Sequence, residues 1–390
     1  MYLKVFRDDI IDGLQKSSNI IPAKTGAAYL RTIWLKAEGE SVSIMSTDSN
    51  LEFCGTYVAQ VQTPGLAGVQ GRSFYDLVRK LPAGEIVIRM DDASKNLLIE
   101  QGKRKYKLPI NDPDWFQKFS DYPEGESVFW SGDFLQDLID RVVYCISDED
   151  TMEAIACMNV VPKVRADGSK SVETCGLNGH QFAMMGFIND DVHAMLPESG
   201  VLIQKKYLNE LKKWLSTDEI ELAISEKRLF LRTADKVETF SLPLSYYTYP
   251  DYSGFLQKVN GEGGELSKMS VDREELIAAL ERIMIFSSEN NRCSNFTFEN
   301  NELKLFSQGQ DVGTATEDLP IQFTGEIDKI AFPTGNLKEI LGHFNSETVT
   351  FTLTGSEGPC GITGDDDQDY LVIIMPMKIV EETYYTEEDA

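Results

Sequence analysis

Histidine is scarce in this 390-residue chain, and its cysteines form no ordered pattern. The three histidines are His180, His193 and His343, and the six cysteines are scattered without a CxxC pair. Because zinc sites need His and Cys at close, regular spacing, and no HExxH motif occurs, no zinc motif is present. Scattered cysteines are typical of buried, reduced thiols in a cytosolic protein.

Long apolar runs are also missing. No stretch approaches the roughly 20 apolar residues that a membrane-spanning helix needs. Residues Met1 to Ile10 lack the charged-then-apolar pattern of an export signal. We therefore expect a soluble, cytoplasmic protein that does not bind membranes.

Patterns that support catalysis are equally hard to find. No glycine-rich phosphate loop follows a strand, and no serine has an evident base with an orienting partner. The acidic cluster Asp365 to Asp369 could hold a divalent ion in a metal-dependent hydrolase, but this is the weakest of the functional hypotheses. A solvated turn between two strands is the simpler interpretation, because a cation site needs ligands that converge from several directions. We expect no catalytic residues, no metal and no cofactor.

Basic residues are far fewer than acidic residues. The chain has 37 Lys and Arg against 63 Asp and Glu, a formal net charge of −26. A phosphate backbone repels such a body, which argues against a protein that coats nucleic acid. Screening removes contributions beyond about 10 Å, however, so the positions of the basic residues matter more than the total.

A threefold repeat, with a spacing of about 130 residues, is the main positive feature. A strand-like run leads into an amphipathic helix pattern in each third, starting at Tyr2, Val128 and Met269. A second helix pattern follows about 65 to 70 residues later, around Phe74, Leu208 and Leu337. The first two units close alike, with Leu108-Pro109 and Leu242-Pro243.

Short β-rich runs separated by turn residues fill the space between the helices of each third. Examples are Thr32 to Lys36, Gln181 to Phe187 and Val349 to Leu353. The prediction is an α+β fold of three repeated domains, each with two helices on antiparallel sheets. The predicted domains are residues 1–125, 126–258 and 259–380, followed by an acidic tail, residues 381–390.

Basic residues recur on the second helix of the first two units. Arg72, Arg79 and Lys80 lie on one, and Lys205-Lys206 and Lys212-Lys213 on the other. A solvated helix face explains any single lysine. Equivalent helices of matched modules face the same way, however, so these charges would add on one surface.

Four stretches, in order across the three repeats, make the chain resemble the bacterial DNA polymerase III beta subunit, the β sliding clamp. They are Thr47-Asp48 with Leu51-Glu52, Asn178 to Ala183, Tyr249-Pro250-Asp251-Tyr252, and Tyr370 to Ile379. The resemblance implies a head-to-tail homodimer that closes a six-domain ring around double-stranded DNA. It also implies a non-catalytic processivity factor for the polymerase III catalytic subunit, loaded by the clamp loader. The DNA-facing positions it implies are Lys24, Arg72, Lys205 and Lys206.

The resemblance further implies one hydrophobic pocket for partner peptides, used by the polymerase, the clamp loader and other proteins with a clamp-binding motif. The matching positions are Leu177, Gly179, His180, Gln181, Phe182, Pro250, Phe255, Thr334, Met375, Pro376, Met377 and Lys378. It also implies dimer contacts by Leu77, Leu81, Tyr106 and Leu108 with Ile285 and Phe286. The alternative function is a non-catalytic scaffold of acidic α+β repeats that binds proteins without DNA.

The chain departs from the family pattern in four places. Gln181 and Gly254 stand where many clamps have arginine, and the segment after Lys24 lacks the usual proline-rich run. Eleven residues follow Ile379, where many clamps end. Our hypothesis is that this acidic, Tyr-bearing tail lies beside the pocket and weakens peptide docking.

Deletion of Glu381 to Ala390 should therefore tighten the binding of a polymerase-derived peptide, because an acidic competitor is removed. Titration of a labelled peptide against the full and shortened chains measures this. Equal affinity of the two chains would rule the hypothesis out.

Overall fold

The computed structural model describes residues 1–22, 27–91, 93–125, 127–148, 152–216, 218–225, 227–262, 264–287, 292–309 and 312–378. Within these ranges the chain has eight α-helices and 26 strands. None of the described helices is long and apolar enough to cross a bilayer.

The first third opens with a strand and a helix, as predicted. Its helices are α1 (Arg7–Ile20) and α2 (Gly71–Lys80). Its strands are β1 (Tyr2–Phe6), β2 (Thr32–Glu38), β3 (Ser41–Thr47), β4 (Glu52–Val58), β5 (Gln60–Thr63), β6 (Gly65–Gln70), β7 (Glu85–Asp91), β8 (Asn96–Gln101) and β9 (Arg104–Pro109). Short 3-10 turns lie at Ala28–Arg31 and Pro113–Trp115.

The middle third repeats this order and adds two short helices that the sequence did not predict. Its helices are α3 (Gly132–Val143), α4 (Asp190–Met195), α5 (Lys205–Trp214) and α6 (Ser253–Val259), of which α4 and α6 are the additions. Its strands are β10 (Val128–Ser131), β11 (Cys157–Val164), β12 (Lys170–Leu177), β13 (Gln181–Phe187), β14 (Val201–Gln204), β15 (Glu219–Ser225), β16 (Arg228–Thr233) and β17 (Glu238–Pro243).

The last third returns to two helices, α7 (Arg273–Met284) and α8 (Thr334–Gly342). Its strands are β18 (Ser267–Asp272), β19 (Cys293–Glu299), β20 (Glu302–Gly309), β21 (Gly313–Pro320), β22 (Gln322–Thr324), β23 (Lys329–Pro333), β24 (Thr348–Leu353), β25 (Cys360–Gly364) and β26 (Tyr370–Ile374). The predicted α+β class, with two principal helices in each third on antiparallel sheets, is confirmed.

Helix α7 forms where the local sequence both caps its N-terminus and provides an apolar stripe. The side chain of Asp272 accepts a hydrogen bond from the backbone N–H of Glu275 at 2.8 Å, which satisfies a free donor at the start of α7. Leu276, Leu280 and Ile283 recur at helical spacing on its buried face. The helix therefore packs one side on the sheets and exposes the other.

The chain divides into two units, and the predicted middle domain is shared between them. One unit comprises Met1–Ile139 and Asp190–Tyr246, and the other comprises Asp140–Asn189 and the chain from Tyr247 onward. The first unit holds two sheets, with strand orders β5-β1-β7-β8-β9 and β10-β15-β16-β17-β4-β3-β2-β6. The second unit holds the order β11-β12-β13-β26-β25-β24-β18-β22 and the separate sheet β21-β20-β19-β23.

Each unit contains one sheet in which strands of two successive repeats are neighbours. In the first unit, β17 of the middle repeat pairs antiparallel with β4, with Glu238 opposite Gly55. In the second, β26 of the last repeat pairs antiparallel with β13, with Tyr370 opposite Met185. A shared sheet fixes neighbouring repeats by main-chain hydrogen bonds as well as by side-chain packing.

A polar network accompanies the pairing in the first unit. Lys16 of α1 bonds to Glu238 at 2.6 Å, and the hydroxyl of Tyr57 donates to the same carboxylate at 2.9 Å. A Cβ at Gly13 or Gly55 would lie 1.9 or 2.3 Å from the Tyr57 hydroxyl oxygen. Both glycines are therefore required for the tyrosine ring to reach Glu238.

The expectation that the Asp365 to Asp369 turn is solvated is wrong for Asp367. The turn does lie between β25 and β26, and Asp365 and Asp366 are exposed, but Asp367 is 5% exposed. Its carboxylate accepts hydrogen bonds from Arg141 at 2.7 Å and from the Ser346 hydroxyl at 2.6 Å. Asp367 thus anchors the last repeat to α3. Among the described residues, no group of three or more His, Cys, Asp or Glu is placed to hold a metal ion.

Replacing Asp367 by Asn should destabilise the protein in a pH-dependent way. Burial raises the pKa of Asp367, but the bonds from Ser346 and the charge of Arg141 outweigh it and hold the pKa below its usual range. The stabilisation is therefore complete above about pH 4, the unfolded carboxyl pKa, and is lost as pH falls through the lower folded pKa. Removing the charge of one member of this buried pair costs about 3–5 kcal/mol at neutral pH.

Thermal melting of Asp367→Asn and of the exposed control Asp365→Asn, at pH 7 and at stepwise lower pH, measures this effect. The melting temperature of Asp367→Asn should lie below that of the unmodified chain at pH 7, and the difference should become smaller below about pH 4. The control Asp365→Asn should melt at the same temperature as the unmodified chain at every pH. A deficit that does not change with pH would contradict the assignment.

Candidate functional site

A small apolar cluster in the second unit contains two of the predicted pocket residues. Leu177 ends β12 and Phe182 lies on β13, and both pack in a cluster with Cys175, Val259 and Ile373. Helix α6 and the segment before it cover this face of the sheet, contributing Tyr249, Tyr252 and Leu256. The cluster lies at the end of the β12–β13 hairpin, so its edge is open to solvent at the turn.

The hairpin turn is held by one side chain. The Asn178 side-chain oxygen accepts from the backbone N–H groups of His180 at 3.1 Å and Gln181 at 2.9 Å. Gly179 has a φ of 87°, a conformation that glycine adopts without strain. The His180 carbonyl then accepts the N–H of Met375 at 2.9 Å. The turn therefore brings Gly179, His180 and Met375 together beside the cluster.

The segment after β26 is partly exposed and apolar. The backbone N–H of Met377 donates to the Ala331 carbonyl at 2.8 Å, and the Met377 side chain is 47% exposed. Met375 and Pro376 are half-buried, and Lys378 is exposed. This arrangement presents flexible apolar side chains with one cation at the end of the segment.

Two predicted pocket residues are buried away from this surface. Thr334 is 1% exposed, and its hydroxyl shares a hydrogen bond with Ser294 at 2.8 Å. Gln181 is 5% exposed and lies opposite Ile374, whose side chain belongs to the large core of the unit. Because β-strand side chains alternate, Gln181 and Phe182 lie on opposite faces of the sheet. The structure thus separates these two residues from the apolar cluster.

The remaining predicted pocket residues lie on or before α6. Pro250 is half-buried between Tyr249 and Tyr252, whereas Phe255 is 42% exposed. The Tyr252 ring lies 5.0 Å from that of Phe182, and its hydroxyl donates to Glu173. Burial, with the nearby Glu173, raises the pKa of Tyr252 well above its usual range, so the hydroxyl stays a donor. The two tyrosines were missed as site residues, although their motif carried the resemblance.

The predicted DNA-facing residues that the structure describes all lie in the first unit. Helix α1 contacts both α2 and α5. Arg72 of α2 and Lys206 of α5 are exposed, and Lys205 is half-buried. Lys24 and the tail, residues 381–390, lie outside the described residues.

Part of the basic character of these helices is neutralised within each helix. Arg79 pairs with Asp76 at 2.9 Å and Lys213 pairs with Glu210 at 2.7 Å. Arg72 and Lys206 form no such pair in the part of the chain that the structure describes. They are therefore the better candidates for contacts with phosphate.

The predicted dimer residues lie at two separate surfaces. On the first unit, Tyr106 and Leu108 are half-buried on β9, an edge strand, and Leu77 is half-buried on α2. On the second unit, Ile285 is 69% exposed just after α7, and Phe286 is half-buried. Leu81 differs, since it is 5% exposed and packs inside the core of the first unit.

Charge divides unevenly between the thirds that carry these surfaces. Residues 1–120 contain 16 Lys and Arg and 14 Asp and Glu. Residues 264–378 contain only 8 Lys and Arg but 20 Asp and Glu. Edge strand β9 carries Arg104, Lys105 and Lys107, and edge strand β21 carries Glu317 and Asp318. This asymmetry was available in the sequence and would have indicated a head-to-tail contact.

Comparison with known proteins identifies the family. Residues 1–120 match the family model described as the N-terminal domain of the DNA polymerase III beta subunit, and residues 264–378 match its C-terminal domain. Together the matches span more than half of the chain.

Full-length relatives agree. A beta sliding clamp from Pseudomonas aeruginosa is 25% identical over 387 residues, covering 97% of this chain and 100% of that protein. The Caulobacter crescentus pol III beta structure has a TM-score of 0.88 at 20% identity. A sliding clamp from Bartonella birtlesii, solved bound to griselimycin, has a TM-score of 0.87 at 25% identity. Both structures cover 97% of this chain and are themselves covered completely.

The repeated α+β architecture, the two matched domains and the full-length relatives have one common explanation: this chain belongs to the bacterial DNA polymerase III beta subunit family, the β sliding clamps.

Proposed function

We propose that the chain is a cytoplasmic, non-catalytic processivity factor that encircles duplex DNA as a head-to-tail dimer and tethers the replicative polymerase. The observation that carries this proposal is the open edge at each end of the repeat series. β9 is an edge of one sheet and β21 is an edge of another. Unpaired edges are templates for another strand, and a second copy offers the complementary edge twice.

The basic helices of the first unit support a role on DNA. Arg72 and Lys206 place exposed cations on α2 and α5, which both contact α1. A closed ring is held on DNA by topology, so a few phosphate contacts suffice and no base needs to be read. The overall charge of −26 keeps other surfaces of the protein away from DNA. Lys24 and Lys205 remain in the proposal as further phosphate contacts.

The apolar cluster supports a role in peptide docking. Leu177, Phe182 and Pro250 provide apolar area beside the turn at His180, and Met375 and Met377 provide adaptable side chains at its margin. Pockets of this composition bind linear apolar motifs, and methionines adjust to differing partners. We propose the polymerase III catalytic subunit, the clamp loader and other proteins with a clamp-binding motif as the occupants.

Retention on circular DNA tests the proposed ring directly. After loading onto nicked plasmid with a matching clamp loader and ATP, the protein should stay bound through gel filtration and should be lost when the plasmid is linearised, because a ring slides off ends. Equal binding to circular and linear DNA would contradict the proposal. The proposal would also be contradicted if the protein bound neither form of DNA while a known clamp, tested in parallel, was loaded.

Replacement of Lys206 by Ala should weaken the electrostatic contact with DNA without affecting assembly. The slope of log affinity against log salt should decrease by about 2 for the proposed dimer, since one phosphate contact is removed from each of its two chains. Salt titration of direct DNA binding measures the slope. Lys170→Ala on β12 removes an exposed lysine outside the basic helices and serves as the control. Identical slopes for both variants would remove Lys206 from the DNA-binding surface.

Replacement of Met377 by Ala should weaken binding of a polymerase-derived peptide about tenfold, because truncation of an interface anchor costs over 1 kcal/mol. Met377 is 47% exposed, so the fold should tolerate the change. Fluorescence anisotropy with a labelled peptide measures the affinity. Met152→Ala, at a methionine that is 58% exposed, should leave it unchanged. Equal loss in both variants would place the peptide elsewhere.

A further inference from the structure

The chain leaves each of its three repeats in the same way. Just after the last strand of a repeat, one backbone N–H donates to the strand that precedes the second helix, a hydrogen bond that we call the exit bond. The three exit bonds run from Asn111 to Gly68, from Ser245 to Leu202 and from Met377 to Ala331, each at 2.8 Å. Each acceptor is the third residue before its helix, α2, α5 or α8. The exits are therefore equivalent positions of the repeat.

In the first repeat, the segment after the exit bond covers the outer face of a sheet. Trp34 of β2 lies on the face opposite to the core residues Ile33 and Leu35, because side chains alternate along a strand. The ring of Phe116, five residues after Asn111, lies 5.3 Å from the ring of Trp34 in an edge-to-face arrangement. Trp34 is accordingly only 3% exposed.

The second repeat has the same kind of cover, provided by two tyrosines. Tyr249 and Tyr252 follow Ser245 by four and seven residues, and they pack against Cys175 of β12 and Phe182 of β13. The rings of Tyr252 and Phe182 lie 5.0 Å apart, and Cys175 is completely buried. In both repeats, aromatic rings that follow the exit bond by four to seven residues close the outer face of the sheet.

The described residues cover the matching face of the third repeat less completely. Trp34 and Asn295 are equivalent, since each pairs with the residue that accepts the exit bond. The next strand places Met45 beside Trp34 and Phe306 beside Asn295. Met45 is 6% exposed, whereas Phe306 is half-buried. The described chain ends at Lys378, directly after the exit bond, so the covering segment of this repeat would have to come from the residues that follow.

Two lysines lie on the same face as Phe306. Lys304 precedes Phe306 by two residues on β20, and Lys329 of β23 is in the same row, since both lysines pair with Thr297. Both are exposed and form no ion pair with the described residues. The row continues to Asp318 of β21. It therefore carries a surplus of positive charge in a third of the chain that is otherwise acidic.

Residues 379–390 have the composition that suits such a face. Tyr384 and Tyr385 lie seven and eight residues after Met377, and Tyr252 likewise lies seven residues after its own exit bond. Five of the twelve residues are acidic, namely Glu381, Glu382, Glu387, Glu388 and Asp389. Rings and carboxylates thus match the apolar and the basic part of the face.

The end of the described chain also lies at the right edge of this sheet. Met377 pairs antiparallel with β23, an edge strand, so the chain leaves toward Lys329 at the start of β23. β20, which carries Phe306, lies two strand spacings from β23, about 10 Å. Seven extended residues span up to about 23 Å, so Tyr384 is within reach of Phe306.

We propose that the acidic tail, residues 381–390, docks across the outer face of the sheet β21-β20-β19-β23. Tyr384 and Tyr385 pack on Phe306, and the tail carboxylates lie beside the two exposed lysines of that face. The tail then covers the third repeat as the segments after β9 and β17 cover the first two. This position is an alternative to one beside the peptide pocket, and it does not depend on the proposed function.

Hydroxyl-radical footprinting read by mass spectrometry tests the position, because it measures the solvent exposure of individual side chains. Deletion of Glu381 to Ala390 should raise the oxidation rate of Phe306 at least threefold. It should not change the oxidation of Phe129, which is 53% exposed on β10 and serves as the reference.

Point variants of the full chain test the contacts themselves. The double variant Tyr384→Ser with Tyr385→Ser should expose Phe306 as the deletion does. Lys304→Glu should raise the oxidation of Phe306 at least twofold, because it repels the tail carboxylates. Lys268→Glu makes the same charge change at an exposed site on β18, in another sheet, and should have no effect. Circular dichroism confirms that each variant is folded.

Equal oxidation of Phe306 in the full and shortened chains would overturn the proposal. Protection of Phe255 by the tail, with no change at Phe306, would overturn it in favour of a tail beside the peptide pocket. Undiminished protection of Phe306 in the double tyrosine variant would overturn it as well, since the rings would then not be the contact.

Discussion

Closure of sheet edges is the constraint on which the rest of this structure depends. In each unit one inner strand of a repeat, β4 or β13, has outer hydrogen-bonding groups that need a partner, and the last strand of the following repeat, β17 or β26, supplies it. The pairs β17 with β4 and β26 with β13 build sheets that two repeats share, and helices such as α1, which contacts β3 and β4, pack on them. The corresponding strands β9 and β21 are left as edges by this arrangement. A series of repeats joined in this way is completed only by joining its ends.

The charges follow from the same arrangement. A body with a net charge of −26 can still approach DNA where exposed cations such as Arg72 and Lys206 have no acidic partner among the described residues, since screening makes distant carboxylates ineffective. Neighbouring cations such as Arg79 are paired within their own helix and contribute less to that field. The surplus of acid in residues 264–378 lies in the third that carries β21, which suits a basic edge strand.

The sequence predicted the apolar strands better than those rich in glycine or charge. Runs such as Gln181 to Phe187 and Thr32 to Lys36 are apolar and β-branched or aromatic, and they are strands in the structure. The strands β6, β9 and β21 were missed, because glycine, proline and charged residues lower their β-propensity. These strands owe their conformation to pairing with a neighbour, which is tertiary information that local composition does not contain.

In the candidate site, too, some features follow from the local sequence and others depend on tertiary structure. Leu177, Phe182 and Met375 lie around one turn, since hairpin geometry is encoded locally by Asn178 and Gly179. Thr334 and Gln181 are buried on the core side, because strand alternation and helix packing decide which way a side chain faces. Sequence motifs place residues along the chain, whereas the facing direction needs the register of the sheet.

The polar groups at the joins contribute to specificity more than to stability. A buried ion pair such as Arg141 with Asp367 loses hydration that roughly offsets its attraction, while a mismatched partner leaves an unpaired charge that costs several kcal/mol. Main-chain hydrogen bonds and apolar packing would accept almost any strand at an open edge. The tenth residue of α1, α3 and α7 is a cation, and its acidic partner differs: Lys16 pairs with Glu238, Arg141 with Asp367 and Arg282 with Glu317. A strand that brought another residue type to Lys16 or Arg141 would remove the acidic partner of a largely buried cation, so these two ion pairs favour the native strand pairings.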